Sequence, residues 1–321
     1  MRIERLPFTV YDVLGYFLPG VASFCILITL LFSSEARFLM NHEIIRSSFL
    51  FSLIGVFAFL IFSYLIGHCV ALIASFTVEK ICICFLGYPG KYMIEEYAYN
   101  RFQQQGDSIY NNCRIFLGRN RIFGFLVVVF CFPIALFLFL LAKMHMISEL
   151  VFGLEETSRE SLDRCFTKRM GKSIYKCRGR EWFEIVNYFV YDNSNVSAHR
   201  MYNYLVLYGL MRNFCCVLLL CFYACGTVFF FGPIEIDFLE SKSSQLDLEI
   251  TESALLIGMI CALILSALLA CGYIKFNRRY TYEACMSFIQ ICRREDREIQ
   301  MMERRIEADV EIARIESTKK T

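Results

Sequence analysis

The sequence predicts an all-α polytopic membrane protein with four to five transmembrane helices and a small helical cytoplasmic subdomain. Three observations predict it. The chain of 321 residues is 57% hydrophobic and 20% charged, whereas soluble domains average about 25% charged residues. The charges drain out of five apolar stretches, each near the ~20 residues that cross a bilayer core. Lysine and arginine collect in the middle segment and the C-terminal tail, the asymmetry that sets membrane orientation.

Residues 1–80 hold the first two membrane helices, over 13–32 and 49–75, the second helix extending to Lys80. Residues 81–145 comprise a basic loop and a third hydrophobic helix, 122–142, either spanning or re-entrant at Pro133. Residues 146–212 form a cytoplasmic helical region on the membrane surface. Trp182, Ile185, Val186 and Phe189 recur there at helical spacing, residues 192–197 break the pattern, and a second helix begins near Ala198. Its Met201, Tyr204, Leu205 and Tyr208 share a face. Residues 213–275 hold the last two membrane helices, over 214–232 and 254–274, and none of the five apolar stretches contains Asp, Glu, Lys or Arg. Residues 276–321 are a charged helical tail of alternating sign. Ile299, Met302, Ile306, Val310 and Ala313 nearly form a seam, interrupted at Asp309. A solvated tail is preferred over a short coiled coil.

Residues 1–12, 33–48, 76–121, 143–212, 233–253 and 275–321 carry 2, 2, 6, 11, 1 and 11 Lys and Arg respectively. The middle segment and the C-terminus are therefore cytoplasmic. If 122–142 spans, 24 basic residues lie inside and 9 outside; if it returns at Pro133, the split is 30 against 3 with both termini inside. Charge favours the second arrangement. Hydropathy favours the first, because a turn in lipid exposes backbone polar groups. The alternatives stay open at this point.

The sixteen cysteines lie mostly in apolar stretches, as at Cys215, Cys216, Cys221 and Cys225, and read as small reduced hydrophobes. The N-terminus shows no removable signal peptide. Residues 170–173, Met-Gly-Lys-Ser, echo a P-loop ending, but Phe166 stands where its first glycine belongs. Cys165, Cys177 and His199 lack the close ligand pair of a zinc site, and Cys82 and Cys84 project differently from one helix. No catalytic residue, cofactor or metal is expected, and the chain reads as non-enzymatic. Sparse aromatic interleaving argues against nucleic acid.

Three features remain. His68 is the one histidine inside an apolar stretch, a polar intramembrane site by default. Ala254, Gly258, Ala262, Ser266 and Ala270 recur every four residues, a stripe that lets helices pack closely. Lys168, Arg169, Lys172, Lys176, Arg178 and Arg180 form a basic cluster. It either contacts anionic lipid headgroups or serves only to retain the segment inside.

Three phrases recur together: 11–16, Tyr-Asp-Val-Leu-Gly-Tyr, followed by Pro19-Gly20; 64–68, Tyr-Leu-Ile-Gly-His; and 208–213, Tyr-Gly-Leu-Met-Arg-Asn. The set resembles a loose group of uncharacterised bacterial polytopic inner-membrane proteins. The resemblance covers the N-terminal 80 residues and 180–280, but not 122–142. It implies four spans, a cytoplasmic middle region and the bacterial inner membrane, and brings no activity. The expectation is a protein that assembles with itself or a membrane partner in the lipid bilayer, its sharpest form a membrane-perturbing defence effector. The alternative is a small channel or transporter subunit.

Overall fold

The computed structural model describes residues 10–31, 49–86, 88–94, 121–143, 153–177, 181–231 and 252–319. Among these, every regular element is helical and no strand occurs. A π-helical turn, Asp12–Phe17, leads into α1, Leu18–Leu31. There follow α2 (Phe49–Phe76), α3 (Val78–Leu86), α4 (Pro89–Ile94), α5 (Arg121–Phe130) and α6 (Phe132–Lys143). Then come α7 (Glu156–Met170), a 3₁₀ turn (Ile174–Lys176), α8 (Glu181–Asn193), α9 (Asn195–Phe231) and α10 (Glu252–Lys319). Three described helices are long and apolar enough to cross a membrane, Leu53–Ile83, Asn195–Phe230 and Leu255–Ile312, and Asp12–Leu27 is a shorter apolar helix. The chain divides into two compact units.

The first unit takes the described residues of 1–88, 99–151 and 204–277. Its α1 and α2 form an antiparallel pair whose backbones touch. A Cβ on Gly20 would lie 1.8 Å from the Ser63 carbonyl oxygen, and one on Gly67 would lie 2.0 Å from that of Tyr16. Only glycine permits this approach. The apolar parts of α9 and α10 form a second antiparallel pair: Gly226 faces Met259, Cys215 Sγ donates to the Ser266 carbonyl, and Gly272 faces Met211. Parallel packing joins the two pairs, since Gly209 meets the Tyr11 ring and Asn213 bonds to Gly15.

Segment 122–142 folds as α5 and α6 with a single-residue turn at Cys131. Helical bonding continues across that turn, from Cys131 N to Val127 O and from Ala135 N to Cys131 O, both 2.9 Å. Gly124, Val127, Cys131, Ile134 and Leu138 make one buried face through it. The sequence leaves spanning and re-entrant forms open; here the proline kinks the helix, and the described bonding shows no reversal at Pro133. At Thr77 likewise α2 runs into α3 with bonding intact, and Thr77 Oγ1 donates to the Ile73 carbonyl at 2.7 Å, a bond of the kind that bends helices.

The second unit takes the described residues of 89–98, 152–203 and 278–321. Leu162 and Phe166 of α7, Trp182, Val186 and Val190 of α8, and Ala284, Cys285 and Phe288 of α10 are buried. Spacings of three or four residues recur within each set, so each helix offers one apolar stripe. The Met-Gly-Lys-Ser segment has a structural explanation: Gly171 closes α7 in the left-handed conformation, φ 70°, and Ser173 caps the 3₁₀ turn by accepting from Tyr175 N. Asp163 Oδ1 accepts from Ser173 Oγ and Ile174 N. The break expected over 192–197 narrows to Ser194, and α9 starts at Asn195, three residues before the expected Ala198. The tail is helical through Lys319, and residues 297–312 are exposed on every side.

Candidate functional site

The site of interest is an aromatic and polar junction inside the first unit. It begins with a proline. In an α-helix the Gly15 carbonyl would accept from residue 19, but Pro19 has no N–H. In lipid such an orphan must find another donor. Asn213 supplies it: its Nδ2 donates to Gly15 O at 2.6 Å, and Asn213 is fully buried. The Asn213 Oδ1 accepts in turn from Arg212 Nε at 3.3 Å. Arg212 Nη1 also pairs with Glu79 Oε2 at 2.5 Å, their side chains 12% and 28% exposed. A pair so far from solvent is held by geometry rather than lost to screening.

The π-helical turn before Pro19 arranges the aromatic half. Its wider winding brings residues five apart onto one side, and Tyr16 OH donates to Tyr11 OH at 3.4 Å. Tyr16 stacks on His68 with ring centroids 4.1 Å apart, and Tyr64 meets His68 edge-on at 4.5 Å. The three phrases at 11–20, 64–68 and 208–213 therefore converge on one place. Sequence spacing does not explain this, because Asn213 and Gly15 are 198 residues apart.

Pro133 repeats the arrangement. Its missing N–H frees the Val129 carbonyl, which accepts from Tyr223 OH at 2.7 Å, while Phe130 stacks on the Tyr223 ring at 5.6 Å. Both donors, Asn213 and Tyr223, lie on α9. Sequence reasoning met Arg212 and Asn213 only inside the phrase 208–213, with no role, and missed Glu79 and Tyr223. The available signal was the pair of prolines, each requiring an outside donor for the carbonyl four residues before it.

His68 stands in this junction. Of the small-residue stripe, Ala262, Ser266 and Ala270 are buried in the first unit. A Cβ on Gly258 would meet nothing within 4 Å, and the Ala254 side chain lies outside those described. The stripe thus packs within the chain over its C-terminal part.

The basic cluster lies in the second unit, where three of its described residues are engaged. Lys168 pairs with Asp296 at 2.5 Å and Lys172 with Glu181 at 2.7 Å, and each carboxylate's hydrogen bond raises the lysine pKa. Arg169 pairs with Glu295 and lies 4.2 Å over the Phe189 ring. Lys176 ends the 3₁₀ turn, and Arg178 and Arg180 lie outside the described residues. Among the described residues no three His, Cys, Asp or Glu side chains are grouped to hold a metal ion. No family model matches the chain, and no match is found among curated proteins or solved structures.

Proposed function

We propose that the chain is a non-enzymatic protein of the bacterial inner membrane that assembles with itself or a membrane partner, as a membrane-perturbing effector of a defence system. The observation that carries this reading is the division of α10. Ala262, Ser266 and Ala270 are buried, while Ile257, Ile260, Ile264, Leu265 and Leu268 are exposed on the same apolar segment. An outer face this apolar demands lipid or another membrane helix.

Four crossings, by α1, α2, α9 and α10, fit best, with both termini cytoplasmic. The parallel run of α1 and α9 supports this. It puts the start of α1 on the side from which α9 departs, and the 11 basic residues of 143–212 assign that side to the cytoplasm. Tyr223 pairs with Val129, and further back along α9 Cys216 and, at the turn between α5 and α6, Cys131 both lie within reach of Thr77. That makes α5 and α6 antiparallel to α9, and labelling of Cys113 decides whether they add a fifth crossing.

The test is membrane potential. Induced expression is expected to depolarise cells carrying a voltage-sensitive dye, and cross-linking is expected to trap oligomers. Unchanged potential and growth, with and without co-expressed genomic neighbours, overturns the effector reading. A second reading, a small channel or transporter subunit, is favoured by His68, Glu79 and Arg212 within an apolar unit. It predicts solute or ion flux in vesicles at low protein density, which Arg212→Ala alters.

A further inference from the structure

In the second unit, the thiols of Cys165 on α7 and Cys292 on α10 lie close enough that each is the largest influence on the other's ionisation. The two helices are fastened around that point by Lys168–Asp296, Arg169–Glu295 and the bond from Arg293 Nη2 to Ser161 Oγ at 2.9 Å. We propose that Cys165 and Cys292 are an oxidative modification site, a dithiol that hydrogen peroxide converts to a disulfide between α7 and α10.

The two sulfurs have different surroundings. Cys165 is half-buried, and Cys292 is 6% exposed. Hydrogen bonding by Cys292 lowers the Cys165 pKa to about 7, with help from Arg293 and Lys168 and against burial and Asp296. The same bond pushes Cys292 up. Near neutrality Cys165 is thus the more readily ionised of the two, and the thiolate is the reactive form. Cys177 is the internal comparison: burial raises its pKa, and its Sγ donates to the Ser173 carbonyl.

The chemistry balances in two steps. The Cys165 thiolate attacks one peroxide oxygen, the O–O bond breaks, and hydroxide leaves to take a proton as water. The Cys292 sulfur then attacks the sulfenic sulfur, the S–O bond breaks, and the oxygen departs as water with the Cys292 proton. Two thiols lose two electrons, and one peroxide becomes two waters. The product closes only when the Cα atoms come within ~4.4–6.8 Å, so it pins α7 to α10.

The experiment uses the full chain, purified in detergent, reduced, freed of reductant and exposed to hydrogen peroxide. Peptide mapping without reductant is expected to yield a 165–292 cross-linked pair lacking two hydrogens. Cys292→Ser is expected to leave a sulfenic acid at Cys165 that dimedone traps, and Cys165→Ser to leave Cys292 unmodified. Cys165 is expected to oxidise at least about tenfold faster than Cys177. Equal rates at the two cysteines overturn the proposal, as does wild-type protein that oxidises elsewhere without a 165–292 link. The wild-type mapping decides even if a variant fails to fold.

Discussion

At Gly15 and Val129 a proline four residues on has removed the helical donor, and a side chain of α9 has replaced it. An orphaned buried carbonyl costs about 1–3 kcal/mol, so Asn213→Leu is expected to lower the unfolding temperature in detergent. Pro19→Ala returns the backbone donor, and the Asn213→Leu penalty is expected to shrink in that background. A penalty of equal size in both backgrounds would refute the replacement of donors. Tyr223→Phe removes only a hydroxyl and is expected to cost less, about 0.5–1.5 kcal/mol. Gly67 makes the second residue-scale case. Its alanine would meet the Tyr16 carbonyl oxygen at 2.0 Å, whereas at Gly55 nothing lies within 4 Å. Gly67→Ala is therefore expected to abolish monodisperse elution in detergent and Gly55→Ala to leave it intact; like behaviour of the two removes the close approach. The prolines, glycines and His68 were plain in the sequence. Their partners were not, because nothing local links Gly15 to Asn213 or Tyr16 to Gly67.

Elements were more legible than contacts. Five uncharged stretches announced the apolar segments, and the spacing of Trp182 and Val186 announced α8, because burial on one face imposes a helical period whatever the partner is. The bend between α5 and α6 was not legible in direction: Pro133 signals a kink and a reversal alike, and only the bonds flanking Cys131 separate them. The stripe on α10 was legible as a pattern but not as to which helix it meets. Ser266 and Ala262 now have a packed setting, Cys215 donating to the Ser266 carbonyl at 3.3 Å. Replacing both by Leu overpacks that contact, at about 1–3 kcal/mol per site. The double variant is expected to insert normally yet lose folded yield, while Gly258→Leu, facing open space, retains it. Ile264→Leu, at a position 55% exposed, is expected to be neutral. Equal yields from the double variant and Gly258→Leu would make the stripe an accident of composition.

For the molecule as a whole, the proposed four-crossing arrangement puts both chain ends on one side. Cytoplasm-specific fluorescent reporters fused at either terminus are expected to light up. A dark N-terminal fusion beside a bright C-terminal one would require an odd number of crossings. Cys113, outside the described residues, is expected to resist an impermeant thiol reagent in intact cells whose other accessible cysteines are replaced; efficient labelling would place it outside and restore the five-span arrangement. The carbonyls freed by Pro19 and Pro133 also bear on biogenesis. In the proposed membrane arrangement, translation delivers Gly15 and Val129 to the bilayer before α9 exists, so each arrives as a backbone acceptor that its own segment does not satisfy. Until Asn213 and Tyr223 leave the ribosome, those two hydrogen bonds cannot form, and the nascent chain is expected to be a substrate for quality-control proteolysis. A chain stopped at residue 200 is therefore expected to be cleared rapidly, and one stopped at residue 277 to persist.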